Sequence, residues 1–146
     1  MLAALIGFFS AIVIIVFVAL LNDLDKKLIY ALTLSGIGFL YVGFAWMDLQ
    51  SLIINSIQAI LFLFLSYYGM KRSINLLAFG YFLHGAWDLA YHSAFDSSLI
   101  PPHYDWFCSI LDFTIGIYLL IISRPSKFNV VRQHAQHFFH NKTKTK

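Results

Sequence analysis

Five apolar segments divide this chain, and every one of its ten Lys and Arg residues falls on the same side of them when they are laid out as membrane spans. The segments cover residues 2–21, 28–47, 49–69, 74–91 and 106–123. A hydrocarbon core of ~30 Å demands ~20 mostly apolar residues of a crossing helix, and each segment comes close to that length. Lys26 and Lys27 follow the first segment, Lys71 and Arg72 the third, and Arg124, Lys127, Arg132, Lys142, Lys144 and Lys146 the fifth. The second connection carries only Asp48, and the fourth only Asp96 and Asp105. Positive charge stays on the cytoplasmic side of short loops, so this alternation predicts an outside N-terminus and a cytoplasmic C-terminus. The expected fold class is all-α: a polytopic membrane helix bundle of five transmembrane helices.

Composition argues the same way. Charged residues make up 12% of the chain, well under the ~25% of soluble domains. There is no Glu, and all seven acids are Asp. A net charge of +3, concentrated in the cytoplasmic loops and tail, suits anionic lipid rather than nucleic acid. The aromatics lack the groove context that nucleic-acid binding requires. The expected organisation is a five-span domain over residues 1–123 and a basic cytoplasmic tail over 124–146.

The first segment does not read as a cleaved signal. Nothing basic precedes it, its apolar run is long, and Leu20-Leu21-Asn22 is a poor cleavage context. It is expected to stay as an anchor. The single cysteine, Cys108, excludes an internal disulfide framework.

Polar residues concentrate in the last two segments. His84, Asp88 and His92 recur every four residues and so share one helix face, with Trp87 beside them. Cys108 and Asp112 repeat the same step in the fifth segment, and the third contributes Asn55 and Gln58. A rise of ~1.5 Å per residue puts His84 and Asp112 both roughly 10 Å below the outer surface. The fourth and fifth segments, joined by a short loop, are expected to pack antiparallel with these stripes facing. An Asp at a span centre costs about 2.5–3.5 kcal/mol on insertion scales, so each must meet a cation, a donor or water. His84, Asp88, His92 and Asp112 suit a divalent metal such as zinc, with Trp87, Cys108, Asn55 and Gln58 in support. The same groups can relay protons or activate water. The plainer reading is a polar clamp, in which Asp88 accepts hydrogen bonds from His84 or His92, while Trp87, Tyr91, Tyr104 and Trp106 form an interfacial aromatic belt.

The run Leu83-His84-Gly85-Ala86-Trp87-Asp88-Leu89-Ala90-Tyr91-His92, then Ile100-Pro101-Pro102, then Cys108 four residues before Asp112, resembles an uncharacterised family of small bacterial integral membrane proteins. That family is known only as a domain of unknown function, 6010. Its pattern has a His, a Trp-Asp pair, closely spaced His residues, a Pro-containing loop and a Cys four before an Asp. His84, Trp87, Asp88, His92, Cys108 and Asp112 stand in those places. Tyr91 replaces a frequent second His, and Leu111 stands where a second Cys occurs. The resemblance covers the last two segments well and the first three mainly by hydropathy. It implies a bacterial inner-membrane location and no activity.

Lesser features are read as structural. Ser35-Gly36-Ile37-Gly38 lacks the Gly-Lys-Ser/Thr of a phosphate loop, so close helix approach is the better account. Ala31 with Ser35, and Gly80, are expected to serve such approaches. Pro101 and Pro102 stiffen the fourth connection. In the tail, Phe128, Val131, Ala135 and Phe138 recur at helical spacing and predict an interfacial helix over 127–140, drawn to anionic lipid. His134, His137 and His140 are read as its solvated face, and residues 141–146 as disordered.

Two classes of function follow from these residues. One is a membrane-embedded metal-binding protein or enzyme whose site opens to the outer leaflet. The other is a small transporter or accessory subunit using the cluster as proton relay or helix clamp. Five spans are few for alternating access and no inverted repeat is visible, so transport implies a homo-oligomer.

Overall fold

A computed structural model describes residues 1–21, 23–94 and 100–124, with side chains described only to Tyr91 in the middle segment. The expected tail helix, its three histidines and Asp96 lie outside the described residues. Five α-helices and no strand occur among the described residues: α1 Leu2–Leu20, α2 Lys26–Phe44, α3 Leu49–Arg72, α4 Ile74–Ala94 and α5 Tyr104–Ser123. Four of them, α1, α2, α3 and α5, are long and apolar enough to cross a membrane. The fourth has comparable length, but Asn75, His84 and Asp88 lower its hydropathy.

Helix ends follow capping chemistry rather than hydropathy. The Asp25 carboxylate accepts from the backbone N–H of Lys27 at 2.9 Å, so α2 begins two residues before its apolar run. Lys26 then reaches back, its Nζ donating to the Ala19 carbonyl at 3.1 Å, where the negative end of the α1 dipole lies. Asp48 caps α3 by accepting from the Ser51 N–H at 2.7 Å, and hydrogen bonds from Ser51 hold its carboxyl below the usual carboxylate range. Lys71 and Arg72 occupy the last turn of α3, over the rings of Tyr67 and Tyr68. A single extended residue, Ser73, separates α3 from α4. That tight reversal brings Gly69 onto the Leu77 backbone, where an added Cβ would stand 2.9 Å from Leu77 Cα. At the far end of α4, His103 takes the left-handed conformation (φ 64°) immediately before α5.

Helices α2 to α5 pack in sequence order, and α1 lies against the last of them. α1 rests on α5, α5 on α4, α4 on α3 and α3 on α2, while α2 also touches α4 across the bundle. Small residues permit these approaches. Gly7 lies against the Phe107 backbone, Gly38 against Phe62, Gly80 against Leu34, and Gly85 against Phe113 and the Ser109 carbonyl. The expectation for Gly80 therefore holds, whereas Gly36 has open space around it and Ser35 bonds back to the Ala31 carbonyl of its own helix.

Two apolar clusters fill the interior. The larger includes Tyr30, Leu34, Phe62, Leu77, Tyr81, Ile115 and Leu119, with the Tyr81 hydroxyl donating to the Tyr30 carbonyl at 2.8 Å. The smaller gathers Tyr41, Tyr91 and Ile100, with Phe44, Trp87 and Tyr104 against them. Outside, large apolar side chains face away from the protein: Val13, Phe17, Leu32, Ile57 and Ile121 are each more than 60% exposed. A soluble monomer rarely exposes contiguous apolar surface on this scale, and a bilayer is the solvent that suits it.

Candidate functional site

Between the two apolar clusters lies a layer of buried polar groups. The i, i+4 spacing of His84 and Asp88 puts both on the inward face of α4, and both are fully buried. Asp112, also fully buried, comes from the facing side of α5. The two helices run antiparallel, and their contacts fix the register. Phe82 meets Gly116, His84 meets Asp112, and the Ser109 hydroxyl donates to the Gly85 carbonyl at 3.0 Å. Close packing at Gly85 and Gly116 is what allows an imidazole and a carboxylate to span the interface.

The resulting geometry is compact. His84 Nδ1 lies 2.8 Å from Asp112 Oδ2, at hydrogen-bond distance, and 3.5 Å from Asp88 Oδ2. One ligand atom from each of the three residues can be chosen so that all lie within 4.8 Å of one another. Around them stand aromatic rings. Phe62 of α3 meets the imidazole edge-on with centroids 4.6 Å apart, and Tyr41 of α2 does so at 6.1 Å. Counting from the helix ends, His84 and Asp112 sit roughly 12–15 Å deep, because α4 and α5 extend further than their apolar runs. This is deeper than hydropathy suggests and close to mid-helix.

Several atoms in this layer are poorly satisfied. Among the described residues, His84 Nε2, both oxygens of Asp88 and Asp112 Oδ1 have no hydrogen-bond partner. Buried polar atoms of native proteins are nearly always paired, so this concentration on three touching side chains calls for an occupant or a coupled charge. Three oxygen and nitrogen ligands with spare lone pairs form a donor set that fits a borderline divalent cation. Tetrahedral zinc with bonds of ~2.0–2.1 Å separates its donors by roughly 3.3 Å, so modest shifts of these side chains would close around it.

The other expected site residues fall into distinct places. The side chain of His92 lies outside the described residues. Cys108 is buried one turn before Asp112, near Tyr104 and Asp88, but outside the three-residue group. Asn55 is buried and donates Nδ2 to the Tyr91 hydroxyl at 3.1 Å. Gln58, 4% exposed, lines a groove between α3 and α4. Trp87 is half-buried beside both apolar clusters and lines the same groove. Tyr91, which the plainer reading puts in an interfacial belt, is buried at the centre of the smaller cluster. Its bond with Asn55 explains why: in lipid a hydroxyl needs a protein partner. Tyr104 likewise packs into that cluster, whereas Trp106 is half exposed.

One residue of this layer is not marked by any sequence pattern considered above. Tyr41 is fully buried, packs on His84 and Tyr91, and stands close to Asp88. Leu34, Gly38 and Tyr41 share an inward stripe of α2, and Gly38 is the available signal: a helix face close enough to need glycine carries its next turn inward too.

The model of a family of unknown function, DUF6010, matches residues 2–125, which takes in all five helices. The chain belongs to this family. No curated protein and no solved structure matches it. The family membership carries no activity, so function rests on the geometry above.

Proposed function

We propose that this family member is a five-span membrane protein that holds a divalent cation, zinc by donor type, between α4 and α5 through His84, Asp88 and Asp112. The observation that carries the proposal is the convergence of three fully buried ligands within 4.8 Å, four of whose polar atoms lack a hydrogen-bond partner among the described residues. His92, one turn beyond Asp88 in sequence, is proposed as a further ligand. With His84, Asp88 and Asp112 alone the ion would keep an open position, the pattern of catalytic zinc, and would polarise water or a carbonyl there, whereas His92 as a fourth ligand would close the site in the structural pattern.

The fifth span is part of the proposal. α4 has a length like its neighbours, its His84 and Asp88 point inward, and Phe79, Leu83 and Leu89 make its outward face apolar. With Lys and Arg held to the cytoplasm, the N-terminus and the α4–α5 connection lie outside, in a bacterial inner membrane if the bacterial resemblance extends to this chain. Residues 124–146 form a basic cytoplasmic tail on anionic lipid.

A second reading has its own observation. The 2.8 Å bond between His84 Nδ1 and Asp112 Oδ2 makes a polar clamp between helices that needs no ion. Metal analysis separates the two. Protein purified in detergent without chelator should carry stoichiometric metal, lost in His84→Ala and Asp88→Ala and retained in Trp87→Phe, since indole offers no lone pair. Wild-type protein that stays metal-free under these conditions and after incubation with zinc would leave the clamp as the function of the cluster.

A further inference from the structure

The groove between α3 and α4 has a construction that the His/Asp group does not explain. It encloses about 530 Å³, within the ~300–1,000 Å³ range of small-molecule sites. Its walls are apolar, from Ile57, Leu61 and Phe62 on α3 and from Leu83, Ala86 and Ala90 on α4. One primary amide interrupts them. Gln58 is 96% buried, yet neither its Oε1 nor its Nε2 has a hydrogen-bond partner among the described residues. Both amide atoms are themselves covered by protein, so the Gln58 side chain has to turn into the groove to give its donor and acceptor to a ligand, at a depth where no water offers itself.

The surroundings decide what fits. Ile57 and Leu61, on the groove's own wall, are at least half exposed on the outward surface, so the groove opens toward lipid and admits a chain from the bilayer. Gln58 lies nine residues into α3, roughly 14 Å down, at the level of His84 and Asp112. No Lys or Arg lines the groove, and Phe62, which forms part of its wall, packs on His84 beside two carboxylates. Neither carboxylate lines the groove itself, so a charged head of either sign would lack a counter-ion there, and an anionic one would also be repelled by Asp88 and Asp112 beyond Phe62. A glycerophospholipid ester lies too near the interface to reach it.

We infer that the α3–α4 groove binds a single-chain lipid with an uncharged polar end, a fatty alcohol or aldehyde, whose oxygen pairs with the Gln58 amide. The chain lies along Ile57, Leu61 and Ala90, and the polar end is held one aromatic ring away from His84. This assignment rests on Gln58 and the groove, and it stands whether or not the His/Asp group holds a metal.

The test uses full-length protein in nanodiscs, treated with chelator so that labelling is read independently of the metal. The probe is a hexadecanol carrying a mid-chain diazirine, compared with the matching alkane that lacks the hydroxyl. Photolabelling by the alcohol should map to residues 54–62 and 83–90 and be displaced by unlabelled hexadecanol. Gln58→Leu, close in volume, should reduce displaceable labelling by the alcohol roughly five- to tenfold, the worth of one hydrogen bond, and leave the alkane unaffected. Ala86→Phe, which fills the groove, should suppress both, and Ala90→Phe provides a second filling variant should the first fail to fold. Labelling that is spread evenly over all lipid-facing helices, or that is unchanged in a monodisperse Gln58→Leu protein, would overturn the assignment. Displacement by palmitate as effective as by hexadecanol would overturn the uncharged headgroup.

Discussion

His84 and Asp112 meet across the α4–α5 interface with Nδ1 and Oδ2 2.8 Å apart, and neither side chain reaches the surface. The second carboxylate of the layer, Asp88, stands 3.5 Å from the same nitrogen. One imidazole thus serves two acids, and the three residues are unequal in what their loss leaves behind. His84→Leu strands two buried carboxylates without a cationic or donor partner, at a cost of about 3–5 kcal/mol. Asp112→Leu leaves His84 beside Asp88 and should cost about 1–3 kcal/mol. Thermal unfolding of the purified apo proteins in detergent checks the order, and a more damaging Asp112→Leu would contradict the central place given to His84.

Cys108 tests how far the metal group extends. It stands one turn from Asp112 and near Asp88, yet outside the set of ligand atoms that converge. Cys108→Ser should therefore keep the metal stoichiometry of the wild type, while Asp112→Ala, which removes a proposed ligand, should lose the metal as His84→Ala and Asp88→Ala do. Loss of metal in Cys108→Ser, measured by elemental analysis of the purified variant, would enlarge the ligand set to include sulfur.

Glycines give a paired prediction about packing. A Cβ at Gly7 would run into the Phe107 backbone carbonyl, which belongs to another helix and cannot rotate away. Gly7→Ala should destabilise the protein by about 1–3 kcal/mol by forcing α1 off α5. Gly36 is exposed on α2 with nothing near its missing Cβ, so Gly36→Ala should stabilise by about 0.5–1 kcal/mol through backbone entropy alone. Melting curves of the two variants should move in opposite directions.

Much of this arrangement is visible in the sequence because membrane helices have few ways to place polar groups. Asp is too costly to leave facing lipid, so the four-residue step from His84 to Asp88 and from Cys108 to Asp112 marks inward faces before any neighbour is known. The short connection between α4 and α5 then sets them opposite each other. Helix starts are less legible: hydropathy marks where an apolar run begins, whereas Asp25 and Asp48 set where the backbone turns helical. Tyr41 and Tyr91 are the hardest to place. An amphipathic aromatic suits the interface and the core equally well by composition, and only the contact with Asn55 and His84 decides between them.

The remaining prediction concerns which side of the membrane the polar layer communicates with. Lys26, Lys27, Lys71, Arg72 and Arg124 lie at one end of the five proposed spans, and Lys71 and Arg72 close α3 at that end over Tyr67 and Tyr68. The α4–α5 connection, carrying Pro101 and Pro102, lies at the opposite end, with Tyr104 and Ile100 folded over Tyr41 and Tyr91. A reporter fused after Lys146 should be active only in its cytoplasmic form, and one inserted between Asp96 and Pro101 only in its external form. Only α5 separates the two fusion points, so a full α5 span requires the reporters to differ. If both reporters behaved as cytoplasmic, α4 and α5 would not be a pair of full spans, and the cost of burying His84, Asp88 and Asp112 would need a water-filled surrounding instead of a metal or a clamp. Reversal of both reporters would keep the five spans and turn the α4–α5 connection, with the aromatic layer above the site, toward the cytoplasm.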